Sequence, residues 1–477
     1  MLELAKKVFS AFNENGVMYC NWKGSSKIEE GLNGASDLDI LMSDDCRHKA
    51  SNLLKETGFV KAKTQWVYRF KDIEDWIGFD GDTGKFLHIH LHYRMIAGHP
   101  FTMEYTLPWK DDVLANRILL ENGVYTISAE WELLVFLVRN GIEYPNKKIG
   151  RDGLFKESSL DEYNYIRERV DKKRSSDIIN AIYRSDASLI LSLVDKDSFD
   201  KSDFNRLIVA TKRLFNKNAV CRAWFTFKSR LKGFVDGHLT LQLRHALWIP
   251  QRKTLPKGAM IAFLGQDGSG KSTVTTEIEK WLSWKLEVER FYLGSGEEYY
   301  NPWRRRLIKR FNKNDSFISK VLRPWLYFSD LLAASRYVLR TVKAAKRYSA
   351  RGGIALLDRF PQVQYPGIND GPKIRVELFE RVPSAFRWVA ELYARQEEHN
   401  IEKATQLVPD IVIKLMLSPE ESLRRKPFEN KEMVEKKHEI IKSLSYSGSR
   451  VVTIDAEQDY SNEILQIKTI LWEKIKQ

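Results

Sequence analysis

The sequence predicts an α/β chain with a parallel sheet between helices in its C-terminal part, an α+β domain at its N-terminus and a helical connector between them. Three observations carry this. From about Leu255 to Gln477, short apolar runs rich in β-branched residues alternate with long helical stretches, as strands covered on both faces do. From Ala129 to about Leu247 the apolar spacing is helical. From Met1 to about Ile127 a helix leads into short strands and Gly-rich turns. The domains so read are 1–127, 128–247 and 255–477.

Taken in chain order, Asp37-Leu38-Asp39-Ile40-Leu41 alternates as a strand should, placing Asp37 and Asp39 on one face. Phe86 to Arg94 alternates likewise and puts His88, His90 and His92 on one face. The connector opens with Ala129-Glu130-Trp131-Glu132-Leu133-Leu134 behind Ser128 as a candidate cap. Trp248 to Gly258, with two prolines and a basic cluster, reads as a linker. The later strands are Met260–Leu264, Leu286–Leu293, Gly353–Leu357, Ile411–Leu417 and Arg450–Ile454, with a long helix over Ser316–Arg347.

Composition sets outer bounds. A chain of 477 residues, 43% hydrophobic with 13 Trp, is long enough for two or three cored domains. Met1 to Lys7 lacks a signal peptide's apolar block, and no apolar run reaches the length of a membrane span. Cys20, Cys46 and Cys221 have no metal-type spacing, which points to free thiols and a cytoplasmic location. A net charge of +14 attracts acidic partners, with phosphorylated substrates, nucleic acid and an anionic membrane all eligible. Oligomeric state is not legible.

Directly after the run Met260–Leu264 stand Gly265, Gln266, Asp267, Gly268, Ser269, Gly270, Lys271, Ser272 and Thr273. This is a phosphate-binding loop: its glycines let backbone N–H groups turn toward a phosphate, and the following helix aims its positive end at the same charge. The motif implies ATP or GTP, with Lys271 reaching the β- and γ-phosphates and Ser272 ligating Mg²⁺. Asp358, ending an apolar strand, falls at the sheet edge where ligands bind, suited to hold Mg²⁺ or the acceptor. Arg359 beside it can neutralise phosphoryl oxygens. Arg424 and Arg425, in the helix after Pro419, suit a segment that closes over ATP.

In this order the C-terminal pieces resemble thymidylate kinases of the nucleoside-monophosphate-kinase fold. Gly265 to Thr273 looks like that family's phosphate loop, Asp358-Arg359-Phe360 like its Asp-Arg-Tyr/Phe motif, and Pro409-Asp410 through Arg425 like its strand-to-lid passage. Thr453 to Gln458 is similar to its last strand and adenine-side loop, and Arg336 to its helix arginine facing the acceptor. The resemblance implies a P-loop kinase using ATP and Mg²⁺, with Lys271, Asp358, Arg359, Arg424 and Arg425 catalytic and with Arg336 and Arg359 at the acceptor. Leu264, where the family has an acidic residue, and the segments Leu293–Glu298 and Pro361–Ile368 depart from its pattern. The departures argue against dTMP and leave a nucleoside monophosphate, a sugar or a glycan as acceptor. The stretch Pro302–Lys313 is either a solvated basic face or a surface for an acidic acceptor or peripheral membrane contact.

At the other end, Gly24-Ser25 followed by Asp37-x-Asp39 resembles the nucleotidyltransferase fold. That resemblance implies carboxylates sharing metal ions, a Gly-Ser turn holding the triphosphate, and a third carboxylate whose place His90 takes, unless Asp80 or Asp82 supplies it. Imidazole prefers Zn²⁺ or Mn²⁺ to Mg²⁺. The implied set Asp37, Asp39 and His90 therefore means Mn²⁺ use, or binding without transfer, while hydrogen-bonding histidines are the plain alternative. Three functions stand: an ATP-dependent phosphotransferase, an ATP-switched nucleotide- or nucleic-acid-binding module, and a bifunctional kinase and nucleotidyltransferase.

Overall fold

The computed structural model describes residues 1–65, 69–98, 103, 105–143, 157–197, 199–214, 227, 230–231, 234, 248–294 and 317–477. The basic stretch Pro302–Lys313, Cys221 and most of the connector beyond 214 lie outside them. The chain divides into two compact units, Met1–Ile249 and Pro250–Ile475.

Unit 1 is built on a mixed seven-stranded sheet. Its strands are β1 (Tyr19–Asn21), β2 (Leu38–Met42), β3 (Val60–Ala62), β4 (Ile73–Phe79), β5 (Phe86–His92), β8 (Ile118–Leu119) and β9 (Tyr125–Thr126), in the order β3-β4-β5-β2-β1-β9-β8; β6 (Met95–Ala97) and β7 (Tyr105–Leu107) form a separate hairpin. Alternation gives the sheet two apolar faces. Leu38, Ile40, Met42, Leu87, Ile89 and Leu91 pack with Val8, Phe9 and Phe12 of α1 (Glu3–Glu14) and with Ala50 and Leu54 of α3 (Arg47–Glu56). Here α2 denotes Ile28–Leu32 and α4 Lys110–Ala115.

Cys20, Trp22 and Leu41, of opposite parity, pack instead with the helical segment. That segment comprises α5 (Ala129–Glu143), α6 (Glu157–Arg167), α7 (Lys172–Tyr183), α8 (Ala187–Val194) and α9 (Lys201–Leu214). The helices expected as a separate connector over 128–247 thus share a core with the sheet, because α5 carries the apolar run Leu133–Val138 and is buried over most of its length. Ser128 does not cap α5 through its side chain: its hydroxyl is buried without a partner.

Unit 2 is a five-stranded, wholly parallel sheet of β10 (Ala259–Gly265), β11 (Val288–Tyr292), β12 (Ile354–Asp358), β13 (Ile411–Met416) and β14 (Arg450–Asp455), in the order β11-β12-β10-β13-β14. Its helices are α10 (Lys271–Leu282), α11 (Phe317–Ala350), α12 (Arg387–Thr405), α13 (Pro419–Arg425), α14 (Lys431–Ser443) and α15 (Tyr460–Ile475). The expected strands coincide with the observed ones to within two residues at every end. Central β10 pairs with β12 on one side and β13 on the other, so the chain reverses its winding there and a crevice opens at the carboxyl ends of these strands. The expected linker is docked rather than free over Gln251–Leu255. Gln251 N–H and Arg252 N–H donate to Glu287, and Leu255, 1% exposed, donates its N–H to Gly352 O. No helix among the described residues is long and apolar enough to cross a membrane.

Candidate functional site

In unit 2 the chain leaves β10 at Gly265 and enters α10 at Lys271 through a tight loop. Gly268 and Gly270 take φ of +86° and +79°, which a side chain would strain. A Cβ at Gly265 would lie 2.3 Å from Ser269 Oγ and 2.8 Å from Leu415 O, so the loop closes only around glycine. Ser269 Oγ and Gln266 Nε2 are buried without partners, while Gln266 Oε1 accepts from Leu417 N–H. Orphaned polar atoms of this kind in a turn with a helix N-terminus are what an anion-binding loop presents. Lys271 folds back and donates to Gly265 O at 2.8 Å and Gln266 O at 2.6 Å. Burial first, and the Arg359 charge second, lower its pKa to about 8. Among the described residues, no carboxylate hydrogen-bonds to this ammonium. Ser272 and Thr273 are exposed on the first turn of α10.

Asp358 ends β12, 4% exposed, and accepts from Ser272 Oγ at 3.4 Å. The pair fits a hard cation bridged to phosphate oxygens: one hydroxyl and one carboxylate face each other at the edge of the loop. Arg359 has φ +78°, a conformation costly for any residue with a Cβ, and its N–H is fixed by Phe263 O at 3.0 Å. The strained backbone throws its guanidinium between Asp267, at 3.9 Å, and Asp370, at 3.7 Å. Asp267 also accepts from Lys437 at 2.7 Å, so this loop carboxylate ties α14 to the loop.

Arg424 and Arg425 part company. Both are clamped by Glu421, whose pKa their hydrogen bonds depress to about 2. Only Arg425 reaches the loop, donating to Gly268 O at 3.2 Å and to Ala456 O, just after β14, at 3.3 Å. Arg424 has a side chain 76% exposed and makes no such contact among the described residues.

Beyond Asp358 a pocket is lined by Leu293, Ser335, Pro361, Asp370, Lys373 and Glu397, among others. Arg336, expected at the acceptor, is exposed on α11 and outside this lining. Asp370 was missed by sequence reasoning. It follows Asn369, and both are left-handed, at φ +65° and +49°. Asn-Asp-Gly is a turn signal that marks such a conformation. Burial pushes the Asp370 carboxyl up, against the pull of Arg359 and Lys373. The departing segment after Phe360 is held by Gln362, 1% exposed, whose amide donates to Tyr365 O and Ile368 O and accepts from Tyr365 N–H.

In unit 1, β2 pairs with β5 so that Asp39 lies opposite His90, and β4 pairs with β5 so that Asp75 lies opposite His90 from the other side. Asp37, Asp39, Asp75 and the three histidines thus share one face. Asp75, on the neighbouring strand, is a carboxylate of this face that sequence reasoning did not name. Asp80 is engaged by Leu4 N–H and Thr83 in a turn, and Asp82 lies in the same turn. Burial disfavours charge on His90, but hydrogen bonds to Asp39 and Asp75 outweigh it and raise its pKa to about 9. Burial and then Lys23 lower that of His92 to about 4. Lys23, 3.2 Å from Asp39, and the imidazoles keep Asp39 ionised despite its burial.

The Gly24-Ser25 turn, expected to hold a triphosphate, is filled from within the chain. Glu132 of α5 accepts from Ser25 N–H at 2.9 Å and from Ser25 Oγ, and Arg169 donates to the same hydroxyl at 3.3 Å.

No family model matches the chain. Over 240 residues, 48% of this chain and 91% of the relative, it is 29% identical to the uncharacterized ATP-binding protein YghR of Escherichia coli strain K12. It is 26% identical over 223 residues, 43% of this chain and 89% of the relative, to the uncharacterized ATP-binding protein YghS of the same strain. Among solved structures it is similar to a deoxyadenosine kinase from M. mycoides with bound dATP, at 20% identity and a TM-score of 0.27, covering 44% of this chain and 98% of that one.

Proposed function

We propose that unit 2 is an ATP-dependent phosphotransferase. The observation that carries this reading is the convergence of Lys271, Asp358, Arg359 and Arg425 on one phosphate-type loop at the switch point of a parallel sheet, beside a pocket. The similarity to two proteins named as ATP-binding supports the donor.

In this reading the residues from Gly265 to Thr273 cradle the triphosphate, and Lys271 exchanges its two carbonyls for β- and γ-phosphate oxygens. Ser272 and Asp358 would hold Mg²⁺, which supplies charge neutralisation between the phosphates. An oxygen of the acceptor bonds to the γ-phosphorus as the bond to the bridging oxygen breaks, and ADP leaves. Arg359 and Arg425 offset the charge spread over the transferring group. When the acceptor is a hydroxyl, Asp370 in the pocket lining is the group placed to take its proton. The acceptor class remains a nucleoside monophosphate or a sugar or glycan. A screen with γ-labelled ATP over nucleoside monophosphates, sugars and sugar phosphates tests the proposal; label transferred to none of these classes would overturn it.

A further inference from the structure

We propose that the acceptor of unit 2 is an alcohol that carries no phosphate, held through its hydroxyls by Asp370 and Glu397 and deprotonated by Asp370. This rests on the phosphotransferase reading and narrows its acceptor. What the pocket beyond Asp358 can offer a ligand decides the class. Donors of its wall are spent within the chain: Leu293 N–H on Asp358 O, Gly371 N–H on Ile368 O, Lys373 N–H on Glu397 Oε2 and the Ser335 hydroxyl on Leu332 O. The acceptors are left over. Glu397, 3% exposed, has Oε2 engaged by the N–H groups of Lys373 and Ile374, at 3.1 and 2.7 Å. Among the described residues neither its Oε1 nor either oxygen of Asp370 receives a hydrogen bond; Arg359 stands 3.7 Å from Asp370. Carboxylate oxygens withdrawn from water want donors. Hydroxyls bring them, whereas a phosphate brings only acceptors and negative charge.

The charges agree. In the described lining Lys373 stands with two carboxylates, and Arg359 already lies between Asp267 and Asp370. A second phosphate beside the triphosphate would meet more carboxylate than cation there, and like charges so placed repel. The fold also fixes Asp370 for proton transfer. Gly367 N–H donates to Pro372 O at 2.6 Å and Gln362 Nε2 to Ile368 O at 2.7 Å, and a Cβ at Gly371 would come within 2.4 Å of Tyr365 O, so the turn that carries Asp370 is tightly determined. Arg359 links it to the phosphate loop through Asp267, at 3.9 Å. Burial raises the Asp370 carboxyl against the pull of Arg359, Lys373 and Lys271, which makes it a stronger base than an exposed aspartate. In the step, the hydroxyl oxygen bonds to the γ-phosphorus as the bond to the bridging oxygen breaks, and the hydroxyl proton passes to Asp370. The products are a phosphate monoester and ADP.

Sugar and nucleoside hydroxyls share this chemistry, and the test separates them. The full chain with γ-labelled MgATP is assayed on matched pairs, monosaccharides against sugar phosphates and nucleosides against nucleoside monophosphates. Asp370→Asn and Glu397→Gln are run beside it, with melting curves confirming each fold. The expected kcat/KM is at least about tenfold higher for the phosphate-free member of whichever pair is labelled. Asp370→Asn should lower kcat about 10²- to 10⁴-fold with KM little changed, while Glu397→Gln chiefly raises KM. Should a variant fail to fold, the wild-type comparison of each pair still decides. Label entering the phosphorylated member equally or preferentially, or an Asp370→Asn variant that keeps its kcat, overturns this inference and leaves the phosphotransferase reading standing. Label entering neither member of either pair overturns that reading and this inference with it.

Discussion

Replacing Arg425 by alanine separates the cation proposed to act in catalysis from a neighbour that the sequence cannot distinguish from it. Arg424 and Arg425 sit in one helical turn and share Glu421, so either substitution removes one ion pair from the same carboxylate. Only Arg425→Ala also removes a guanidinium bonded to the tip of the phosphate loop at Gly268 O and to Ala456 O. In the proposed reaction that group offsets the charge that develops on the transferring phosphoryl. Losing one such positioned donor costs on the order of 2–4 kcal/mol in the transition state. This corresponds to a fall in kcat of roughly 30- to 900-fold. Arg424→Ala, its side chain 76% exposed, should stay within about threefold of the parent in kcat. The assay is steady-state phosphoryl transfer on both variants, with melting curves showing that neither loses its fold. Equal losses from the two arginines, or none from Arg425→Ala, would refute the placement of α13 as a lid over ATP.

Two further outcomes follow from other parts of unit 2. The segment after Phe360 is clamped by Gln362 in an arrangement unlike the thymidylate kinase pattern, so dTMP should be a poor acceptor. Steady-state assays should give it a specificity constant below about 10⁴ M⁻¹s⁻¹. Glu289 on β11 has its pKa raised from 4.5 to about 7 by burial and by the charges of Glu279 and Glu287. A carboxyl whose folded pKa exceeds its unfolded one binds more protons when folded, so stability falls as pH rises from about 4.5 to about 7. Glu289→Gln should therefore stabilise the chain at pH 8 by about 1–2 kcal/mol, allowing for solvent screening, and leave it unchanged at pH 4 in denaturant titrations.

The C-terminal half was legible because its information is local. Each strand of the parallel sheet is a short apolar run, and the loop from Gly265 to Thr273 announces strand, turn and helix in consecutive residues. What escaped the sequence depends on long-range pairing. Asp75 meets His90 only because β4 folds antiparallel onto β5, and nothing within Ile73–Phe79 signals that partner. Glu132 reaches Ser25 across 107 positions, closing a turn whose local sequence promised an open phosphate site. Arg424 and Arg425 looked equivalent because local sequence gives the charge but not which of two adjacent side chains meets a loop 157 positions away. Arg336 was placed by resemblance, and the structure leaves it exposed while Ser335 lines the pocket.

The most direct test of phosphoryl transfer at this loop is ADP release from MgATP by the full chain and by Lys271→Ala, each with and without a mixture of nucleoside monophosphates, sugars and sugar phosphates. The account predicts ADP release that rises sharply with the mixture and falls by about 2–4 kcal/mol in barrier terms when Lys271 is lost. Acceptor-independent ADP release, or the same rate from Lys271→Ala, would contradict it: the first would make unit 2 an ATP-driven switch, and the second would remove the loop from the chemistry.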